Sequence, residues 1–204
     1  MSAHFDHLAG DAARILDSLR PLPPSRPPRR ATVWSRPALA VVAGLPGSGK
    51  SRFCRDLAGR TPAAVLESDA LRKLLFRRPV YSWAESARLF AAIHVVIERL
   101  LGDGISVILD ATNLRERHRQ PLYAIAEKLG AKLVVVEVVA PPETVLARLA
   151  ERTATDNSSS DADIAVYLRM REEWEEIRRE HIVVDTSRPT ARLITAVSRL
   201  MNDP

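Results

Sequence analysis

The segment Gly44-Leu45-Pro46-Gly47-Ser48-Gly49-Lys50-Ser51 satisfies the pattern GxxxxGK[ST], and its residue types answer the needs of phosphate chemistry. Glycines at 44, 47 and 49, with Pro46 and Ser48 in the same loop, let backbone amides turn inward around phosphate oxygens. Lys50 can reach the β and γ phosphates, and the Ser51 hydroxyl is suited to ligate Mg²⁺. The next residues, Ser51-Arg52-Phe53-Cys54, open a helix whose positive end faces the same anion. A nucleoside triphosphate, with ATP and Mg²⁺ as the expected pair, is the ligand this loop predicts. Cys54, between Phe53 and Leu57, reads as a small buried hydrophobe.

Two acidic positions follow apolar strands, where ligands of open parallel sheets collect. Asp69 lies in Glu67-Ser68-Asp69-Ala70-Leu71-Arg72. It could accept a proton from an attacking hydroxyl, with Arg72 one turn later holding an anionic group on the acceptor. Equally, Asp69 could cap its helix and Arg72 could lie in solvent. Asp110 ends the run Leu109-Asp110-Ala111-Thr112-Asn113 and has the position of a Walker B carboxylate, able to bind Mg²⁺ directly or through water. Thr112 and Asn113 could cap the following helix. Arg115, Arg117, His118 and Arg119 begin that helix, where cations oppose the macrodipole and an anion would relieve them.

Arg148 and Arg152 are four residues apart on one predicted helix and so share a face. The polar stretch 153–161 follows, and the combination suits a lid over about 148–162 that closes on a triphosphate. A solvated face is the other reading of these arginines. Tyr81 and Trp83 could stack on a base or sugar, although packing is the commoner fate of such residues.

The elements that must position these groups are legible as alternation. Apolar runs at 38–43, 63–68, 105–111, 132–140 and 181–185 predict strands. Helical patterns lie between them near 50–59, 69–77, 84–101, 115–129, 142–153, 162–179 and 189–201. Continuously apolar strands separated by helices imply an α/β fold, with a parallel five-stranded sheet covered on both faces. The charged run 169–180 is expected to be helical, with Met170, Trp174 and Ile177 turned inward. Ahead of this domain, 38–204, an amphipathic helix is predicted over 4–19 as an N-terminal appendage within 1–20. Six prolines in 21–37 predict an extended linker.

The chain has 204 residues, 46% hydrophobic and 27% charged, which excludes collagen-like and disordered classes. One cysteine excludes an internal disulfide, and no apolar run is long enough to span a membrane. The amino-terminal segment lacks the pattern of a secretory signal, so a cytoplasmic location is expected. The net charge of +5 suggests a nucleic-acid partner until it is located. Five arginines in 20–37 equal the whole excess, while 38–204 carries only +2. Residues 1–37 could therefore serve as a tether or engage a protein partner.

The ordered runs GLPGSGKS, ESDALRKLL, SVILDATNLRERHRQPL, VVAPPETVLARLAER and HIVVDTS, over 38 to about 187, resemble the P-loop kinases related to polynucleotide 5′-hydroxyl kinases and zeta-toxin-like proteins. This resemblance implies a P-loop NTPase fold and transfer of the ATP γ-phosphoryl group to a hydroxyl. The acceptor would be a nucleic-acid 5′ end or a small metabolite. It further implies Lys50 and Ser51 on the phosphates and Mg²⁺, Asp69 as general base, and Arg72 on an acceptor phosphate. Arg152, with Arg148, would be the lid arginine, and Asp110, Thr112 and Asn113 would lie near metal and acceptor. A zeta-toxin-like kinase restrained by an antitoxin, and a nucleotide-dependent switch whose amino-terminal region engages a protein, are the alternatives.

Overall fold

A computed structural model of the chain describes residues 2–23, 36–155 and 163–203. Five strands, β1 (Ala38–Ala43), β2 (Ala64–Glu67), β3 (Val107–Asp110), β4 (Lys132–Val139) and β5 (Ile182–Asp185), form one sheet in the order β2-β3-β1-β4-β5. All four pairings are parallel, so helices must cover both faces. These are α1 (Ser2–Ser18), α2 (Lys50–Ala58), α3 (Ser68–Leu75), α4 (Trp83–Gly102), α5 (Glu116–Lys128), α6 (Pro142–Thr155), α7 (Ile164–Glu172) and α8 (Ala191–Asn202).

β1 lies at the centre, and all six of its residues are buried. Its side chains alternate between two cores. Leu39 and Val41 join Leu66, Val107 and Leu109 under α4, against Leu89, Ile93, Val96 and Ile97. Ala38, Ala40 and Val42 face the other way, toward Phe53 and Leu57 of α2 and Ile194, Val197 and Met201 of α8. Register places Glu67 beside Asp110, and Asp110 beside Val42. The two acidic strand ends therefore line up on one side of the point where β1 gives way to the glycine-rich loop.

The amphipathic α1 finds its partner within the chain. Ala12 and Ile15 are buried against α3 and α4. Asp11, also buried, takes two hydrogen bonds from Arg88 of α4, at 2.6 and 2.9 Å. Arg14 donates to the Leu74 carbonyl at the end of α3. The proline-rich linker expected over 21–37 lies mostly outside the described residues, as does the stretch 156–162 of the expected lid. No described helix is long and apolar enough to cross a membrane.

One expected helix is shorter than its pattern. The helical expectation over 162–179 holds only for α7, which ends at Glu172, and the charged segment beyond it is irregular. Tertiary contacts override its propensity. Arg119, fully buried, donates to the Glu175 and Glu176 carbonyls at 2.9 and 3.1 Å, and the Glu175 amide donates to the Leu114 carbonyl at 3.1 Å. Ile177 still turns inward as expected, with Trp174 and Met170 half-buried.

Ile15→Ala should lower the stability of the whole domain by about 3 kcal/mol, because the methylenes it removes are fully buried between α1 and α4. The expected result is a reduced urea midpoint with an unchanged slope. A midpoint within error of wild type would show that α1 is not part of the cooperative unit.

Candidate functional site

The loop after β1 folds as a compact turn that side chains would obstruct. Gly47 has φ +76°, and a Cβ there would lie 2.8 Å from Val145 Cγ1 on α6. Gly49 has φ +95° and faces Thr186, where a Cβ would lie 3.0 Å from its hydroxyl oxygen. Both positions need a residue free of the left-handed penalty and of the side chain itself. Gly49 is also the N-cap of α2 and offers no side-chain cap, so the first amides of that helix are left for an anion. Thr186, just past β5, donates to the Ser48 carbonyl at 2.6 Å and accepts from Arg148 at 2.8 Å. Arg148 reaches the Gly47 carbonyl as well, at 3.3 Å. Its guanidinium, expected to close on a triphosphate, is engaged here by the Gly47 carbonyl and by the hydroxyl and carbonyl of Thr186.

Lys50 begins α2, and its ammonium donates to the Leu45 carbonyl at 3.0 Å. Loss of water around it lowers its pKa, the Asp110 and Asp69 carboxylates push back upward, and the Arg152 charge lowers it further. Lys50, Asp69, Asp110 and Arg152 thus belong to one electrostatic cluster, although they come from four elements. Asp110, buried at the end of β3, has its pKa raised by burial. Lys50 and a hydrogen bond from the Ser51 hydroxyl oppose that rise, whereas Glu67 and Asp69 add to it. Glu67 was not singled out from the sequence; the available signal was its place two residues before Asp69 at a strand end.

This donor set suits Mg²⁺ carried by a nucleotide. One hydroxyl and one carboxylate in contact, with two further acids close by, match an ion that keeps waters and phosphate oxygens as its other ligands. Among the described residues no group of three or more His, Cys, Asp or Glu could hold a metal alone. The Ser48 hydroxyl, buried in the loop with no hydrogen-bond partner, is a further polar atom that a phosphate oxygen could satisfy.

Asp69 and Arg72 sit on the short α3. The N-cap of that helix is Glu67, with no side-chain cap, so Asp69 does not cap it. Arg72 is neither solvated nor open: its side chain is 7% exposed and forms an ion pair with Glu85 of α4, whose side chain is 6% exposed. Its second amino group donates to the Ser86 hydroxyl at 3.2 Å, and its guanidinium lies 4.7 Å from the centre of the Tyr81 ring. Glu85 also accepts from the Val80 and Tyr81 amides, at 2.8 and 3.3 Å. Burial pushes the Glu85 carboxyl up, but the Val80 amide, Arg72 and the Tyr81 amide outweigh it and hold its pKa below the ordinary value. In sequence, Ser82-x-x-Glu85 reads only as a capping box. The Ser82 hydroxyl does accept from the Glu85 amide at 3.2 Å, while the carboxylate goes elsewhere.

Tyr81 and Trp83 overturn the packing expectation. Both are exposed, Trp83 to 81%, and Tyr81 has a positive φ of 55°. Thr112 and Asn113 do not cap α5, whose N-cap is Arg115. Instead the Thr112 carbonyl accepts from the Gly44 amide at 3.2 Å and the Asn113 side chain donates to the Val42 carbonyl at 3.2 Å, which fastens the end of β3 to the root of the loop. Asn113 Oδ1 is buried without a partner. The conflict expected from cations at the start of α5 is resolved for Arg119 by the Asn113 and Leu114 carbonyls and by Glu116. Cys54 is buried and its thiol pKa is pushed well up, chiefly by burial, as a packing residue's should be.

A family model described as an AAA domain matches residues 39–177, more than half of the chain. The chain belongs to this AAA domain family. It carries the P-loop NTPase fold, and the solved Mycobacterium tuberculosis APS kinase in complex with AMPPNP and APS superposes with a TM-score of 0.62 at 20% identity, over 81% of this chain and 98% of that one. An uncharacterised M. tuberculosis protein is 29% identical over 169 residues, covering 76% of this chain and 33% of the relative. The L-seryl-tRNA(Sec) kinase of Methanococcus maripaludis is 29% identical over 116 residues, covering 56% of this chain and 46% of the relative. The AAA-family chain thus spans a third to a half of the length of these curated relatives.

Gly47→Ala should abolish nucleotide binding, since the added methyl meets Val145 and demands an unfavourable φ. Gly59→Ala, at an αR position with no neighbour nearer than 3.6 Å, is the matched control and should bind as wild type. Fluorescent-nucleotide titration separates the two, and equal affinities would refute the steric account.

Proposed function

We propose that this domain is an ATP-dependent kinase that transfers the γ-phosphoryl group to a hydroxyl acceptor. The observation that carries the reading is the parallel register that sets the carboxyl ends of β1, β2 and β3 side by side, with Lys50, Asp69 and Asp110 just at or beyond them and within reach of one another's charge. Lys50 and the loop amides of Gly47, Gly49, Lys50 and Ser51 hold the β and γ phosphates. Ser51 and Asp110 would hold Mg²⁺, which when bound supplies positive charge to the phosphate oxygens. Asp69 accepts the proton of the acceptor hydroxyl as its oxygen bonds to the γ phosphorus. The bond from that phosphorus to the β–γ bridging oxygen breaks, and its electron pair leaves with ADP. Arg152 adds charge on the phosphate side, and Arg148 serves by fixing Gly47 and Thr186. Thr112 and Asn113 border the acceptor, which is a nucleic-acid 5′ end or a small metabolite.

The switch reading asked the amino-terminal helix to engage a protein. The apolar face of α1 is already covered by α3 and α4, which favours the kinase reading for the described part of residues 1–37.

Asp69→Asn should cut phosphoryl transfer by at least about 100-fold while leaving ATP affinity within about threefold of wild type. Incubation with labelled ATP and a panel of 5′-hydroxyl DNA, 5′-hydroxyl RNA, nucleosides and sugars, beside a no-acceptor control, reads both the acceptor and the effect. Near wild-type transfer by the variant would remove Asp69 from the role of base. Hydrolysis alone, with no acceptor labelled, would favour a switch.

A further inference from the structure

The acceptor side of the site differs from its nucleotide side in how its charge is disposed. On the proposed nucleotide side two cations, Lys50 and Arg152, act on each other's charge. On the acceptor side the buried cation, Arg72, is matched by an equally buried anion, Glu85, and Asp69 lies on the same helix as Arg72. Two of the three guanidinium nitrogens are engaged by Glu85 and Ser86. The third, Nε, is buried without a hydrogen-bond partner. Glu85 cannot readily turn away, because the Val80 and Tyr81 amides hold the same carboxylate. A phosphate brought to Arg72 would meet a neutralised cation with two carboxylates close by. A hydroxyl or ring oxygen could accept from the Nε–H without disturbing the pair. The segment joining α3 to α4 and the first residue of α4 present Val80, Tyr81 and Trp83 to solvent, an apolar and aromatic wall suited to the face of a sugar or base.

We infer that the acceptor is an uncharged, hydroxyl-bearing ring compound such as a sugar or nucleoside, and that Glu85 sets this preference by neutralising Arg72. The inference rests on the kinase reading above and corrects the expectation that Arg72 holds an acceptor phosphate. Glu85 is a positioning residue, acting through Arg72.

The test compares kcat/KM of the full chain with ATP for acceptors matched in pairs, each an uncharged compound and its phosphate monoester at a non-reacting hydroxyl. Adenosine with adenosine 3′-monophosphate, and free aldoses with their phosphates, serve as pairs. Wild type should favour the uncharged member at least tenfold. E85Q, which keeps the shape and removes the charge, should shift that ratio at least tenfold toward the phosphorylated member with the KM for ATP unchanged. The double variant Arg72→Gln with Glu85→Gln removes both charges together and should keep the wild-type ratio within about threefold, since the pair contributes no net charge. A tenfold wild-type preference for phosphorylated members, an E85Q ratio equal to wild type, or loss of the preference in the double variant would each overturn the inference. Transfer to no acceptor, with ATP still bound, would overturn the kinase reading itself and this inference with it.

Discussion

An ammonium group short of water, at Lys50, is the constraint around which the other site residues are arranged. Burial lowers its pKa, and the Asp110 and Asp69 carboxylates oppose that shift. Burial in turn raises the pKa of Asp110, and Lys50 and the Ser51 hydroxyl oppose that rise. Each group is tolerable only because the other is present. The sheet supplies the proximity: with β1 central and β3 beside it in parallel register, the end of β3 has to arrive beside the root of the loop. A phosphate and its cation would complete a charge arrangement that the protein alone leaves partly balanced.

Two construction principles meet at this site. The nucleotide side is backbone work, in which loop amides, Gly47 and Gly49, and the Thr186 hydroxyl set the shape, and Arg148 ties carbonyls together. The side proposed for the acceptor is built from side chains, with Arg72, Glu85, Ser86 and Tyr81 joined by an ion pair, a hydroxyl and a ring. Backbone shape serves the chemistry common to all nucleoside triphosphates. Side-chain networks are where substrates are told apart, because a single exchanged group leaves a buried partner unsatisfied.

The nucleotide side was legible in sequence because its signal is local: glycines, Lys50 and Ser51 fall within eight residues, and the apolar runs around them fix the strands. Asp69 and Asp110 were found by the same logic of strand ends. What escaped was nonlocal. Thr186 bonds to Ser48 across 138 positions, and nothing in either neighbourhood announces it. Glu85 carried the signature of a helix start, which was correct, while the use of its carboxylate depends on how α3 and α4 pack. The charged run after α7 kept helical propensity and lost the helix, because Arg119 claims two of its carbonyls.

The contact of Thr186 with Ser48 bears on modularity. The stretch matching the AAA domain, 39–177, contains the loop, Asp69, Asp110, Arg148 and Arg152, yet it stops before β5, Thr186 and α8, and starts after α1. The motif-bearing stretch and the packed body of the described residues are therefore not the same length of chain. Grafted into another protein at the motif boundaries, the loop would arrive without the hydroxyl that fixes its turn, one face of the sheet would lack α8, and the α3–α4 layer would lack α1. In this chain the chemistry of the motifs can be transplanted only with the motif-free ends that shape it.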